Sequence, residues 1–232
     1  MAVRKTLRRW HLWLGWLIGV PFLLWALSGL VMVARPIDEV RGTALLRDAS
    51  PLTLTAPPVA PNLAGRAVKS LTLESRVAGP RWVIRFADGG SRLSDPATGA
   101  LLPPFSAADA ANEVTSRLRD PAAVTATSRV DAAHPPLELR RAVDAWQVSL
   151  ADGTHYFVDR STGEIVARRT RFWRIYDFFW GLHIMDLQTR EDTHNPWLIV
   201  FAIVSLAATL MALILLPLSS RRKRKRASPA TD

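Results

Sequence analysis

VDAWQVSLADGTHYFVDRSTGEIV, residues 143–166, reads as a β-hairpin with both of its turns spelled out. Trp146, Val148 and Leu150 alternate with polar neighbours, the period-two pattern of a half-buried strand. Asp152-Gly153 supplies the residues that a tight turn prefers. A second strand covers His155 to Asp159, and Asp159-x-x-Thr162-Gly163 closes it with another turn. The same pattern occurs 64 residues earlier, in GPRWVIRFADGGSRLSDPATGALL (79–102). Trp82 aligns with Trp146, Asp88-Gly89 with Asp152-Gly153, Asp95 with Asp159, and Thr98-Gly99 with Thr162-Gly163. Such residues falling at one constant offset mark an internal repeat.

Working outward, SAADAANEVTSRLR (106–119) joins the two units. Ser106 is a natural helix cap, and Ala110, Val114 and Leu118 recur at helical spacing, so a helix is expected there. Pro135-Pro136 breaks the chain before the second hairpin, and Pro51, Pro57, Pro58 and Pro61 mark an extended linker before the first. The expectation is an α+β module of roughly one hundred residues, small for an enzyme domain, in which no nucleophile–base pair stands out.

Apolar stretches flank the module. Trp10–Ala34 runs 25 positions without Asp, Glu, Lys or Arg, and Trp197–Leu218 runs 22. As a helix the first would span about 37 Å, more than a hydrocarbon core of about 30 Å. It is also too long for the apolar part of a cleaved signal, so it is expected to be a retained anchor. Trp10, Trp13 and Trp16 suit the interfacial belt, and Pro21 is expected to bend the helix. The resulting division is 1–9 basic, 10–34 first span, 35–170 module, 171–195 amphipathic aromatic helix and polar loop, 196–218 second span and 219–232 basic tail.

The formal charge of +10 belongs to this membrane layout. Arg4, Lys5, Arg8 and Arg9 precede the first span, and Arg221, Arg222, Lys223, Arg224, Lys225 and Arg226 follow the second. Without these ten, basic and acidic residues balance, so the charge is a topology signal and not a surface for nucleic acid. It predicts both termini in the cytoplasm and the module on the other side, which is the periplasm if the membrane is a bacterial inner membrane. With no cysteine, thiolate metal sites, iron–sulfur clusters and disulfides are excluded.

The hairpin residues Asp152, Gly153, Tyr156, Asp159, Thr162 and Gly163 resemble the PepSY domain, a helix followed by antiparallel strands, and the first unit resembles a more divergent copy. WHLWLGWLIGVPFLLWALSGL (10–30) and FFWGLHIMD (178–186) resemble the first span and the Leu-His motif of the PepSY-associated transmembrane family. The likeness covers essentially the whole chain. It implies a PepSY-like periplasmic module between membrane helices. Relatives with four or more spans include ferric-siderophore reductases that look like dihaem b-type proteins; this chain has two spans.

Two histidines carry the functional reading. His11 lies at helical spacing with Gly15 and Gly19, a GxxxG pair that admits a second helix, so it is expected on a helix–helix seam. There it either reaches the headgroups or ligates haem. His183 follows Phe172, Tyr176 and Phe179 on one helical stripe, with Arg171, Arg174 and Asp177 on another. It either packs beside anchoring aromatics or sits in an aromatic cage suited to a flat porphyrin. Family likeness adds weight to the ligand role. The two histidines belong at opposite membrane depths, so one chain cannot clamp one haem b between them. A homodimer would pair His11 with His11 and His183 with His183, giving two haems and an electron path outward. As an enzyme the chain would be a haem-dependent, ferric reductase-like oxidoreductase serving iron uptake. No nucleotide-binding glycine motif is present, so the electron donor would be another protein or quinol.

Other readings remain open: a tethered, non-enzymatic PepSY module that binds a periplasmic partner through a sheet edge, or an accessory subunit completed by another membrane protein. Asp186, Glu191, Asp192 and His194 fall within nine positions and form a candidate hard-metal or ferric site, or a solvated loop neutralised by Arg190. His134 and His155 read as surface histidines.

Overall fold

The computed structural model describes residues 2–63 and 65–226; Met1, Ala64 and the end of the basic tail, 227–232, lie outside the described residues. The chain divides into two compact units, residues 36–174 and residues 1–35 with 175–232. The helices are α1 (Ala2–Val33), α2 (Ile37–Arg41), α3 (Ala107–Thr115), α4 (Arg171–His183) and α5 (Pro196–Arg226). The strands are β1 (Val68–Arg76), β2 (Gly79–Phe86), β3 (Ser91–Ser94), β4 (Val124–Val130), β5 (Ala145–Leu150), β6 (His155–Asp159) and β7 (Ile165–Arg169).

The unit of residues 36–174 holds two antiparallel sheets, ordered β1-β2-β3 and β4-β5-β6-β7. The repeat is structural down to its register. Trp82 pairs with Ser94 and Val83 with Leu93, while Trp146 pairs with Val158 and Gln147 with Phe157, the same offset throughout. Both tryptophans donate their indole N–H to a main-chain carbonyl, Trp82 to Val59 at 2.8 Å and Trp146 to Phe105 at 2.7 Å. Each closing turn repeats too, with the Gly99 N–H on the Asp95 carbonyl and the Gly163 N–H on the Asp159 carbonyl.

β1 and β4 extend each hairpin beyond the sequence reading, because VKSLTLESR and VTATSRV carry too few apolar residues to alternate clearly. β6 is central and covered on both faces, so Tyr156, Phe157 and Val158 are all buried. On one face Val148, Leu150, Tyr156 and Val158 pack with Ala110, Val114 and Leu118 from α3 and its C-terminal turn. On the other, Leu139 from the β4–β5 loop packs with Val130, Ala145, Phe157 and Ala167. Burying Val114 or Leu118 contributes about 2 kcal/mol each relative to exposure. Ser106 caps α3 as expected, in a reciprocal capping box with Asp109.

In the other unit α1 and α5 pack together. Lys5–Val33 and Pro196–Pro217 are each long and apolar enough to cross a membrane. The less exposed face of α1 is Leu7, His11, Leu14, Ile18, Pro21, Trp25, Ser28 and Met32, a three–four spacing that makes a narrow seam. On α5 the matching positions are Leu198, Phe201, Ser205, Ala208, Ala212 and Leu215. Gly15 and Gly19 are exposed, and a Cβ at either would meet nothing within 4 Å. His11 therefore shares the intramolecular seam, and the GxxxG pair lies outside it. A strict spacing of four would keep positions 15 and 19 beside His11, but seam packing alternates three and four, which turns them away.

Gly163 has φ +66°, and a Cβ there would collide with the Phe105 ring, whose backbone is held by Arg160 and the Trp146 indole. Gly89 has φ +88° with nothing within 4 Å of a Cβ. Gly163→Ala is therefore expected to lose about 3 kcal/mol or more, against about 1–2 kcal/mol for Gly89→Ala, which bears only left-handed strain. Chemical unfolding of the two variants measures the difference.

Candidate functional site

The four-residue metal candidate does not assemble. Asp186 spends its carboxylate on its own loop, accepting from the Thr189 hydroxyl and from the backbone N–H groups of Gln188, Thr189, Glu191 and Asp192. The Thr189 hydroxyl, with those backbone donors, holds the Asp186 carboxyl well below the ordinary aspartate range. Asp192 accepts from the His194 N–H at 2.8 Å. Among the described residues no three His, Asp or Glu side chains group to hold a metal ion. The carboxylates build a loop, and loop-building leaves too few lone pairs facing one point for a cation.

That loop is folded back on α4. Arg190 bonds Asp177 at 2.7 Å, with Asp177 buried, and the Trp180 indole donates to the Arg190 carbonyl at 2.9 Å. Gly181 is buried where a Cβ would meet the Arg190 chain and the Asp186 carbonyl. The deeply buried positions of α4 are therefore Asp177 and Gly181, and the stripe of Phe172, Tyr176, Phe179 and His183 is half-buried. An ion pair supplied from thirteen residues downstream overrides the hydrophobic pattern. Asn195 then starts α5, its side-chain amide donating to the Ile184 and Asp192 carbonyls and its oxygen accepting from the Leu198 N–H.

His183 ends α4 against α1. Its ring stacks on Trp25, with centroids 4.5 Å apart and planes 21° apart, so the aromatic partner comes from α1 and not from the aromatics of α4. Gly29 permits this approach, since a Cβ there would meet the imidazole carbon at 3.3 Å. His183 Nδ1 lies 3.0 Å from the Ser28 hydroxyl and 3.2 Å from the Trp25 carbonyl, and the buried Ser28 hydroxyl donates to that same carbonyl at 2.7 Å. A carbonyl can only accept, so Nδ1 carries the proton. Nε2 then keeps its lone pair and has no hydrogen-bond partner among the described residues. This is the arrangement of a metal-ligating histidine, one nitrogen tied to a backbone oxygen and the other free to ligate.

His11 lies on α1 17 residues before Ser28, about 25 Å from it along the helix axis. Its Nδ1 is buried without a hydrogen-bond partner among the described residues. An orphaned ring nitrogen in a span is costly unless a ligand engages it. Beside the His183 contact a cavity of about 810 Å³ opens among Pro21, Leu24, Trp25, Leu182, Met185 and Trp197, with His183 itself outside its lining.

With this geometry in view, the match to known families becomes informative. A family model described as the PepSY-associated TM region matches residues 8–230. The chain belongs to that family. It is a membrane PepSY protein, an α+β module between two transmembrane helices. No curated protein and no solved structure matches it.

In the PepSY-type module, His134 adjoins the Pro135-Pro136 turn, whereas His155 is no plain surface histidine but part of an ion cluster built from distant residues. Its Nδ1 is 2.8 Å from both Glu138 and Arg174, and can donate to the first or accept from the second. Arg174 also bonds Glu138 at 2.6 Å and the Gly153 carbonyl at 2.8 Å, pinning the turn at Asp152-Gly153 to the start of α4. The motif residues Asp159, Thr162 and Gly163 form their own turn, with Asp159 accepting from the Ser161 and Thr162 N–H groups.

Burial pushes the Glu138 carboxyl up, but hydrogen bonds from Arg174 and His155 outweigh it and hold the group below its ordinary value of 4.5. A carboxylate with a depressed folded-state value contributes stability above the unfolded value and loses it as pH falls through the folded one. The module is expected to lose on the order of 1 kcal/mol below pH 4.5 from this cluster, an acid-side loss that Glu138→Gln removes. Thermal unfolding of both proteins across the acid range checks it.

Proposed function

We propose that the protein is a b-type haem electron-transfer component, passing electrons through the membrane to an acceptor such as a ferric chelate on the module's side. One observation carries the reading: a half-buried histidine at the end of α4 whose Nδ1 faces the Trp25 carbonyl and the Ser28 hydroxyl, while Nε2 has no hydrogen-bond partner among the described residues. His183 would ligate through Nε2, with Ser28 and the Trp25 carbonyl orienting the ring and raising its basicity. His11 would serve the other level of the membrane. Bound there, haem b supplies one-electron transfer.

Each chain offers one imidazole at each depth, so two-histidine ligation calls for a second copy. Gly15 and Gly19, exposed along α1, suit the close approach of another helix, and a homodimer would place like histidines together. On this reading the basic flanks favour both termini in the cytoplasm of a bacterial inner membrane, with residues 36–174 in the periplasm. The alternative, a tethered module that binds a periplasmic protein, is favoured by β1, nine residues long at the edge of its sheet.

Haem-to-protein ratio in purified wild type, His11→Ala and His183→Ala decides between them. The haem reading expects each single variant to lose about half of the haem, one level at a time. Equal haem content in all three proteins contradicts it. Ser28→Ala, which removes the second acceptor but leaves the carbonyl, is expected to retain haem with an altered reduction potential.

A further inference from the structure

A second cavity, of about 230 Å³, lies within the unit of residues 36–174, where the two sheets meet the end of α3. Four guanidinium groups line it, from Arg76 on β1, Arg85 on β2, Arg117 beyond α3 and Arg168 on β7, against two carboxylates, Glu74 and Glu164. Arg76 is nearly buried and fully employed: it bonds Glu74 at 2.8 Å, the Thr162 carbonyl at 3.0 Å and the Ser75 carbonyl. The other three are held loosely. Arg85 reaches Glu164 at 3.4 Å and Glu74 at 3.9 Å, longer than a strong charge-assisted bond. Arg117 lies 3.5 Å from both Glu113 and the Arg47 carbonyl, and its Nε is buried with no partner. Arg168 touches only the Gly42 and Thr43 carbonyls, each at 3.3 Å, and no carboxylate among the described residues.

Both carboxylates count as charged. Burial pushes the Glu74 carboxyl up, and the bonds from Arg76 and Thr72 outweigh it and keep the group below its ordinary value. Glu164 is half exposed to water. Four fixed cations therefore meet three carboxylates, Glu74 and Glu164 in the lining and Glu113 beside Arg117. A crowded lysine could shed its proton to relieve the repulsion, but arginine cannot. The fold holds like charges together, and the missing counter-charge has to come from outside.

We infer that this cleft is a binding site for a small anion with two or more negative charges carried on carboxylate or phosphate oxygens. The planar forks of Arg85, Arg117 and Arg168 match the oxygen pairs of such groups. The volume admits a small molecule and no folded partner, and an anion with several oxygens engages more than one of these forks at once, where a halide offers a single point. The site is independent of the two span histidines, so it stands or falls apart from the haem reading.

Calorimetric titration of the full-length protein, in zwitterionic lipid nanodiscs at fixed ionic strength, tests it with inorganic phosphate and with citrate. At least one of the two should bind saturably at one site per chain, with potassium chloride giving no saturable heat. Arg117→Gln and Arg168→Gln should each weaken binding about tenfold. Glu164→Gln removes a competing negative charge and should tighten it several-fold, an effect that misfolding cannot mimic. Heat without saturation for both anions, or saturable binding that none of the three substitutions changes, overturns the assignment.

Discussion

The contact between His183 and α1 is what the membrane unit depends on. A lone imidazole at the end of α4 becomes ordered because the Trp25 carbonyl and the Ser28 hydroxyl both present oxygen to the same ring nitrogen. Gly29 keeps that approach open, and Trp25 covers the ring face. Trp25 also touches Phe201 of α5, so one side chain joins the ends of three helices. With Ser28 buried, these contacts are shielded from competing water, which is why one histidine with two acceptors can set the geometry.

The loop of residues 184–195 serves the same end. Asp186 gathers four backbone N–H groups and one hydroxyl, Arg190 returns to Asp177, and Asn195 launches α5. Twelve residues, nine of them polar, thus turn the chain from the end of α4 into the second span through local hydrogen bonds. The charges that looked like a ferric site are the means of that turn.

What the sequence made legible follows from locality. Turn chemistry is local, so Asp152-Gly153 and Asp159-x-x-Thr162-Gly163 located the hairpins, and the offset repeat foretold a shared register. The α3 cap and its Ala110, Val114 and Leu118 face were legible for the same reason. Non-local partners were not. Nothing near Asp177 announces Arg190, and His155 meets Glu138 and Arg174 only after the sheet has formed. The polar strands β1 and β4 owe their place to pairing with β2 and β5 and not to their own pattern. His11 in the first span and His183 on the amphipathic helix could be singled out in advance, but the tautomer of His183 needed the coordinates of Trp25 and Ser28.

The PepSY module and the span pair divide the work by chemistry. The membrane unit holds His11 on α1 and His183 at the end of α4; the module gathers its arginines into pairs and a cleft. The central claim is that the free Nε2 of His183 is a haem ligand, and an absorption spectrum of the detergent-purified protein, oxidised and then dithionite-reduced, tests it most directly. The account predicts a Soret band and sharp reduced α and β bands of a six-coordinate b-type haem. A protein that stays colourless when produced with ample haem contradicts it.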